Sequence, residues 1–164
     1  PAERLIGPLD NGLPLIERAV DEAIAATCAE ATGAMKVLVD ATVEYSKQRK
    51  QFGVPIGKFQ VLQHRMVDMF VNSEQSYSIT LMVTLKLGDS DVERKKAASA
   101  AKVQIGNSGR FVGQGAVQVH GGMGMTDELN VGHYFKRLTM IDTLYGSVDH
   151  HLKRYAALDA DKAA

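Results

Sequence analysis

The sequence predicts an all-α fold: an antiparallel four-helix bundle with a short fifth helical piece at the C-terminus. Three observations predict it. Apolar residues recur with a 3.6-residue period over long stretches. No stretch of useful length alternates with period two, and turn residues gather at a few short connections. The chain has 164 residues, 45% hydrophobic and 23% charged, which suits one globular domain with a sizeable core.

Residues 1–12 hold no period and contain Gly7-Pro8 and Asp10-Asn11-Gly12, so they read as a linker or the tail of an upstream element. The chain begins at Pro1 rather than Met, and is expected to be a fragment or processed product. The bundle is expected over residues 13–160. The first helix starts near Leu13, with Pro14 in its first turn. Its stripe runs through Ile16, Ile24, Cys28, Ala31, Met35 and Leu38, and it should end before Gly53 and Pro55. Cys28 lies on this stripe as a buried, inert thiol. A second stripe through Phe59, Leu62, Met66, Met69/Phe70, Ser73, Tyr77, Leu81 and Thr84/Leu85 is closed by Gly88. Ser90-Asp91-Val92-Glu93 is a capping-box pattern for a third helix, Asp91 to about Val119, with a small inward face. Thr126 is read as the cap of a fourth helix, with Asp127 and Glu128 at its positive end. Leu129, Tyr134, Leu138, Ile141 and Tyr145 mark its stripe. Gly146-Ser147 interrupts it, and Val148, Leu152, Tyr155 and Ala156 continue the fifth piece.

Zero formal net charge argues against a dedicated binder of nucleic acid or anionic membrane, since both need a basic surface. One cysteine excludes an intrachain disulfide. With no signal-like or membrane-spanning stretch, the expected compartment is the cytoplasm or an organelle lumen. His64, His120, His133, His150 and His151 form no HExxH pattern, and adjacent His150 and His151 face different ways on a helix, so no metal site is expected.

Two connections carry the chemistry. In Lys47-Gln-Arg49-Lys-Gln51-Phe52-Gly53, the basic residues complement a helix C-terminus, or Arg49 and Gln51 contact phosphate and amide groups. In Phe111–Glu128, Gln118 and His120 precede Gly121, Gly122 and Gly124. That run is either a helix stop with a tight connection, or a turn whose bare amides meet an anion or cofactor.

Taken together, KQRKQFG, then GAVQVHGGMGMTDE about sixty-five residues later, then an aromatic-Gly-hydroxyl step, resemble the acyl-CoA dehydrogenase family. The resemblance covers nearly the whole chain, as that family's C-terminal helical domain. It implies α,β-dehydrogenation of an acyl-CoA thioester with FAD. It also implies a homo- or hetero-oligomer of similar subunits, and an electron-transfer flavoprotein as acceptor. Residues 1–12 then look like the exit from a β domain. By motif, Arg49 would contact the FAD pyrophosphate, with Gln51 and Phe52 beside it. Gln118, Gly121 and Gly122 would receive the pyrophosphate–adenosine portion across an interface, with His120 in the same turn. Ser147 would touch the flavin of its own subunit, with Asp149 weighted less. The cytoplasm of a bacterium is preferred over the mitochondrial matrix.

The departure lies at the base. Most members carry glutamate before the Gly-Thr step, where this chain has Tyr145, and a phenol titrates near ~10. The family's alternative position, on the first helix, falls at Ala23; adjacent Glu22 is about 100° away around the helix. The catalytic base is thus unknown. The chain is the partner subunit of a hetero-oligomer, an active member with a relocated base such as Glu22 or a residue upstream of residue 1, or a subunit that kept only an assembly role. By itself it is expected to be inactive.

Overall fold

The computed structural model describes residues 2–163. Its helices are α1 (Leu13–Gln48), α2 (Gln60–Lys86), α3 (Asp91–His120), α4 (Val131–Thr143) and α5 (Val148–Ala163). A hairpin of two-residue strands, β1 (Lys50–Gln51) and β2 (Val54–Pro55), joins α1 to α2, and a 3₁₀ turn, Gly121–Met125, follows α3. The hairpin is too short to show as alternation in the sequence.

Helix α3 is the central column and packs against every other helix. Side-chain pairs fix the directions. Asp21 with Arg94 at one end and Tyr45 with His120 at the other set α1 and α3 parallel. Met69 lies under Gly115, and Gln75 meets Gln104, so α2 runs antiparallel to α3. Phe135 under Gly113, Leu138 under Gly109 and Val148 under Gly106 carry α4 and α5 down α3 in one direction. The fourth column of the bundle is therefore one helix broken at Leu144–Ser147. Its second part, at 16 residues, is longer than the 13-residue α4 rather than a short appendage.

The core joins Ile24, Cys28, Met35 and Leu38 to Met69, Val83, Ile105, Val112, Leu138 and Ile141. Burial pushes the Cys28 thiol up to about 12, against the opposing pull of Lys102, so it stays protonated. The small face of α3 is inward as expected: Ala97, Ala98, Ala101, Ile105, Ser108, Gly109, Val112 and Ala116 are all buried. Ser90 caps α3, its hydroxyl accepting from Glu93 N–H at 3.5 Å.

Three expectations are corrected. Thr126 does not cap α4: the 3₁₀ turn prolongs α3, the Thr126 hydroxyl donates back to the Met123 carbonyl (3.0 Å), and Asn130 is the N-cap. On α2 the inward face is Met69, Ser73, Ser76, Thr80 and Val83, while Phe70, Tyr77, Leu81 and Leu85 face out. The hydroxyls face inward because α1 answers them: Thr32 Oγ1 lies 3.0 Å from Thr80 Oγ1, and Ser76 Oγ lies 3.9 Å from Met35 Sδ. On α5, among the residues whose burial is described, the buried one is His151, while Leu152 and Tyr155 are exposed at 51% and 37%.

Candidate cofactor groove and the broken fourth column

At the end of α1 the chain turns over within a few residues. Arg49 leaves the helix at φ −68°, ψ 122°, its N–H still bonded to the Tyr45 carbonyl (2.9 Å). The Arg49 carbonyl accepts from Ile56 N–H (2.8 Å), which closes the base of the hairpin. Phe52 and Gly53 form its tip, both at positive φ (53° and 81°), the geometry a right-twisted two-residue hairpin requires. A side chain at positive φ is uncommon outside Asn, Asp and Gly, and Phe52 is also 92% exposed, its ring T-shaped to Phe59 with centroids 6.1 Å apart.

The end of α3 lies beside this hairpin. His120, its last residue, is buried: its ring stacks on Tyr45 at 4.3 Å, and its Nδ1–H donates to the Ala116 carbonyl (2.8 Å). Gly121 then takes φ 61°, which suits glycine, and its N–H closes onto Gln118 and Val117 carbonyls. A Cβ placed at Gly121 or at Gly122 meets nothing within 4 Å, so the backbone there is bare to solvent.

Both connections open onto one groove. Tyr45, Arg49, Gln51 and Ile56 line one side, and Val119, His120, Gly121, Gly122 and Met123 the other. Segments seventy residues apart in sequence thus place a guanidinium, a carboxamide and the unobstructed backbone of Gly121 and Gly122 at one opening. That donor set fits a diphosphate. Tyr45 and Ile56 are lining residues to which the sequence reading gave no role. Tyr45 stands four residues before Arg49, on the same helix face, which is the signal that identifies it.

Gln118 and Phe52 are exposed nearby and are not among the lining residues. Ser147 is elsewhere: Val148 contacts the level of Gly106 on α3, about 20 Å from Gly121 at 1.5 Å per residue. There Ser147 Oγ accepts from His150 N–H (3.5 Å), the geometry of a helix N-cap for α5. Asp149 is exposed in that first turn. Tyr145 and Gly146 take positive φ (59° and 110°) at the bend. Buried His151 holds them, its Nε2–H donating to the Tyr145 carbonyl (3.0 Å) and its Nδ1 facing Ser99 Oγ (3.3 Å). Burial drives the His151 ring down to about 4. Lys102, also buried, donates to the Ile141 and Asp142 carbonyls at the end of α4, where a cation is favoured; burial lowers its pKa. Glu22 is exposed on α1 and paired with Arg18 at 3.1 Å.

A family model described as the C-terminal domain of acyl-CoA dehydrogenase matches residues 10–157. The chain belongs to the acyl-CoA dehydrogenase family. The chain is 35% identical to the acyl-CoA dehydrogenase IpdE2 of Mycolicibacterium smegmatis over 139 residues, 84% of this chain and 42% of that protein. It is 33% identical to the acyl-CoA dehydrogenase FadE34 of Mycobacterium tuberculosis over 143 residues, 87% of this chain and 20% of that protein. The chain thus spans less than half the length of these relatives. The butyryl-CoA dehydrogenase of Megasphaera elsdenii superposes with a TM-score of 0.89 at 26% identity, over 96% of this chain and 41% of that one. Acyl-CoA dehydrogenases are FAD-dependent oxidoreductases, and the groove's donors suit the diphosphate of that cofactor. No helix among the described residues is long and apolar enough to cross a membrane.

Proposed function

We propose that this chain is the FAD-contacting and oligomerisation domain of an acyl-CoA dehydrogenase, whose full-length form or complex performs α,β-dehydrogenation of an acyl-CoA thioester in the cytoplasm. FAD, when bound, supplies the acceptor for the two hydrogens. The observation that carries the reading is the shared groove of Arg49, Gln51, Gly121 and Gly122. Arg49 holds the pyrophosphate as a planar, permanently charged donor. Gly122 needs no special φ and abuts nothing in the chain, so its bare backbone is explained by a ligand approaching from outside. Phe52 and Gln118 flank the opening, and their exposure suits contact with the nucleotide or with a neighbouring subunit. Ser147 keeps its α5 capping role and, at the bend, faces the flavin end. The reoxidant is an electron-transfer flavoprotein.

The association half rests on α2. Its outward face carries Val67, Phe70, Val71, Tyr77, Leu81 and Leu85, while three of its five buried residues are hydroxylated. A helix with more apolar bulk outside than inside is built for a neighbour, here another acyl-CoA dehydrogenase-like subunit.

A second reading, a non-catalytic partner subunit, is favoured by one observation: neither known base position offers a carboxylate. Tyr145 stands at one, and near the other Glu22 is solvent-facing and paired with Arg18. FAD per polypeptide in the protein purified from its own host separates the two. One FAD per chain in a homo-oligomer supports a complete site, whereas one per two chains with a glutamate-bearing relative supports the partner role. Arg49→Ala in that assembly is expected to weaken FAD binding roughly tenfold to a hundredfold, the worth of a charge-assisted contact. Unchanged FAD affinity would remove Arg49 from the site.

A further inference from the structure

The groove holds one ionisable side chain that the diphosphate reading leaves unused. His120 is 4% exposed, yet it lines the opening between Arg49 and Gly122. Its orientation is fixed from three directions. Nδ1–H is committed to the Ala116 carbonyl (2.8 Å), the ring lies on Tyr45, and the Tyr45 hydroxyl donates to the His120 carbonyl (3.4 Å). On the fourth side Gly124 lies close enough that a Cβ there would come within 3.1 Å of the His120 Cβ. With Nδ1 occupied as a donor, a neutral ring presents Nε2 as a lone pair. Nε2 makes no hydrogen bond to the described residues, and it is not among the fully buried atoms left without a partner. The remaining polar function of a locked ring is therefore open to the groove.

A lone pair facing a diphosphate is repulsive, whereas an Nε2–H is a charge-assisted donor. We infer that His120 is a direct ligand of the bound dinucleotide diphosphate, and that this diphosphate enters the groove together with one proton taken up on Nε2. This rests on the FAD groove proposed above and assigns that site a proton-linked donor. The surroundings are consistent with it. Arg49 is the one charged residue among those lining the groove, with Tyr45 the only other ionisable one. A dianionic diphosphate in the groove faces that guanidinium and would accept from an Nε2–H beside it. His120 also ends α3, where carbonyls of the last turn favour a positive ring.

The test is calorimetric titration of FAD into the deflavinated full-length protein at pH 8, in buffers of different ionisation enthalpy. The number of protons taken up is read directly from the dependence of the observed heat on the buffer. The expected result is uptake approaching one proton, with FAD affinity falling up to tenfold per pH unit above neutrality. In His120→Gln and His120→Asn, FAD should still bind, more weakly, with that uptake lost. Binding without proton uptake by the wild-type protein overturns the inference, and so does uptake that persists in both variants. Arg49→Ala separates the layers: weaker FAD binding with uptake retained leaves the groove standing, while unchanged FAD affinity sinks the groove reading and this inference with it.

Discussion

At the scale of single residues, the most consequential side chain outside the groove is His151. It was set aside as a metal ligand from sequence, and nothing in the local pattern marks it as the clamp of a bend. That role comes from Ser99, fifty-two residues away, and from two successive positive φ angles at Tyr145 and Gly146. Its ring donates from Nε2 to a carbonyl and has Ser99 on the other side, and a second ring proton would place a charge where burial removes it from water and Lys102 and Arg154 stand near. With the folded value near 4 and the unfolded value near 6.5, the unfolded chain binds the extra proton over that interval. The stabilisation is thus complete above pH 6.5 and lost as pH falls towards 4, by about 3 kcal/mol at most. Thermal unfolding of the chain between pH 7.5 and 4 is expected to show this decline, and His151→Gln to flatten it. An identical decline in the variant would assign the acid sensitivity to other groups.

At the scale of elements, the helices were legible because their signals are local: a 3.6-residue stripe, Ser90 before Glu93, and glycine after His120. What could not be read was that the inward face of α2 is the one rich in hydroxyls, since an apolar period marks a face without saying whether core or neighbour covers it. Thr126 misled for a related reason, as a hydroxyl before acidic residues looks alike whether it caps a helix or closes a 3₁₀ turn. The buried cations were also invisible. Arg94 is answered by Asp21 across two helices, and Lys102 by the carbonyl end of α4. Glycines within helices give the sharpest contrast. A Cβ at Gly106 would stand 2.5 Å from Asp142 Oδ1 and 2.6 Å from Val148 Cγ2, at the seam where α3 meets both halves of the broken column. Gly106→Ala is expected to destabilise by about 1–2 kcal/mol, overpacking outweighing the better helix propensity of alanine. Gly33, exposed in mid-α1 with nothing within 4 Å, should behave oppositely, Gly33→Ala gaining up to about 1 kcal/mol, or roughly 3 °C in melting temperature. Equal effects at the two sites, read by thermal denaturation, would contradict the packing argument.

At the scale of the whole molecule, the candidate site was legible as two motifs, while their meeting depends on the bundle. Because α1 and α3 run parallel, their C-termini finish at the same end, and only that topology brings Arg49 to Gly122. Ser147, by contrast, sits about 20 Å down the column, so a cofactor reaching both must lie along the domain rather than in a closed pocket. An extended ligand on an open surface needs a cover, and the outward face of α2 is the association surface proposed above. Its outward row of Val67, Phe70, Val71, Tyr77, Leu81 and Leu85 spans about 27 Å at 1.5 Å per residue. Phe70→Glu with Leu81→Glu replaces two members of that row, 54% and 48% exposed, so the fold of the single subunit loses little while a dry contact would acquire unpaired charges. Light scattering on the full-length protein is expected to report a lower mass for the double variant, with an unaltered helical circular dichroism spectrum. If the FAD groove is completed across the same assembly, FAD should be lost in step with mass. Unchanged mass would free α2 from any part in assembly, and a lower mass with FAD fully retained would place the whole groove within one subunit.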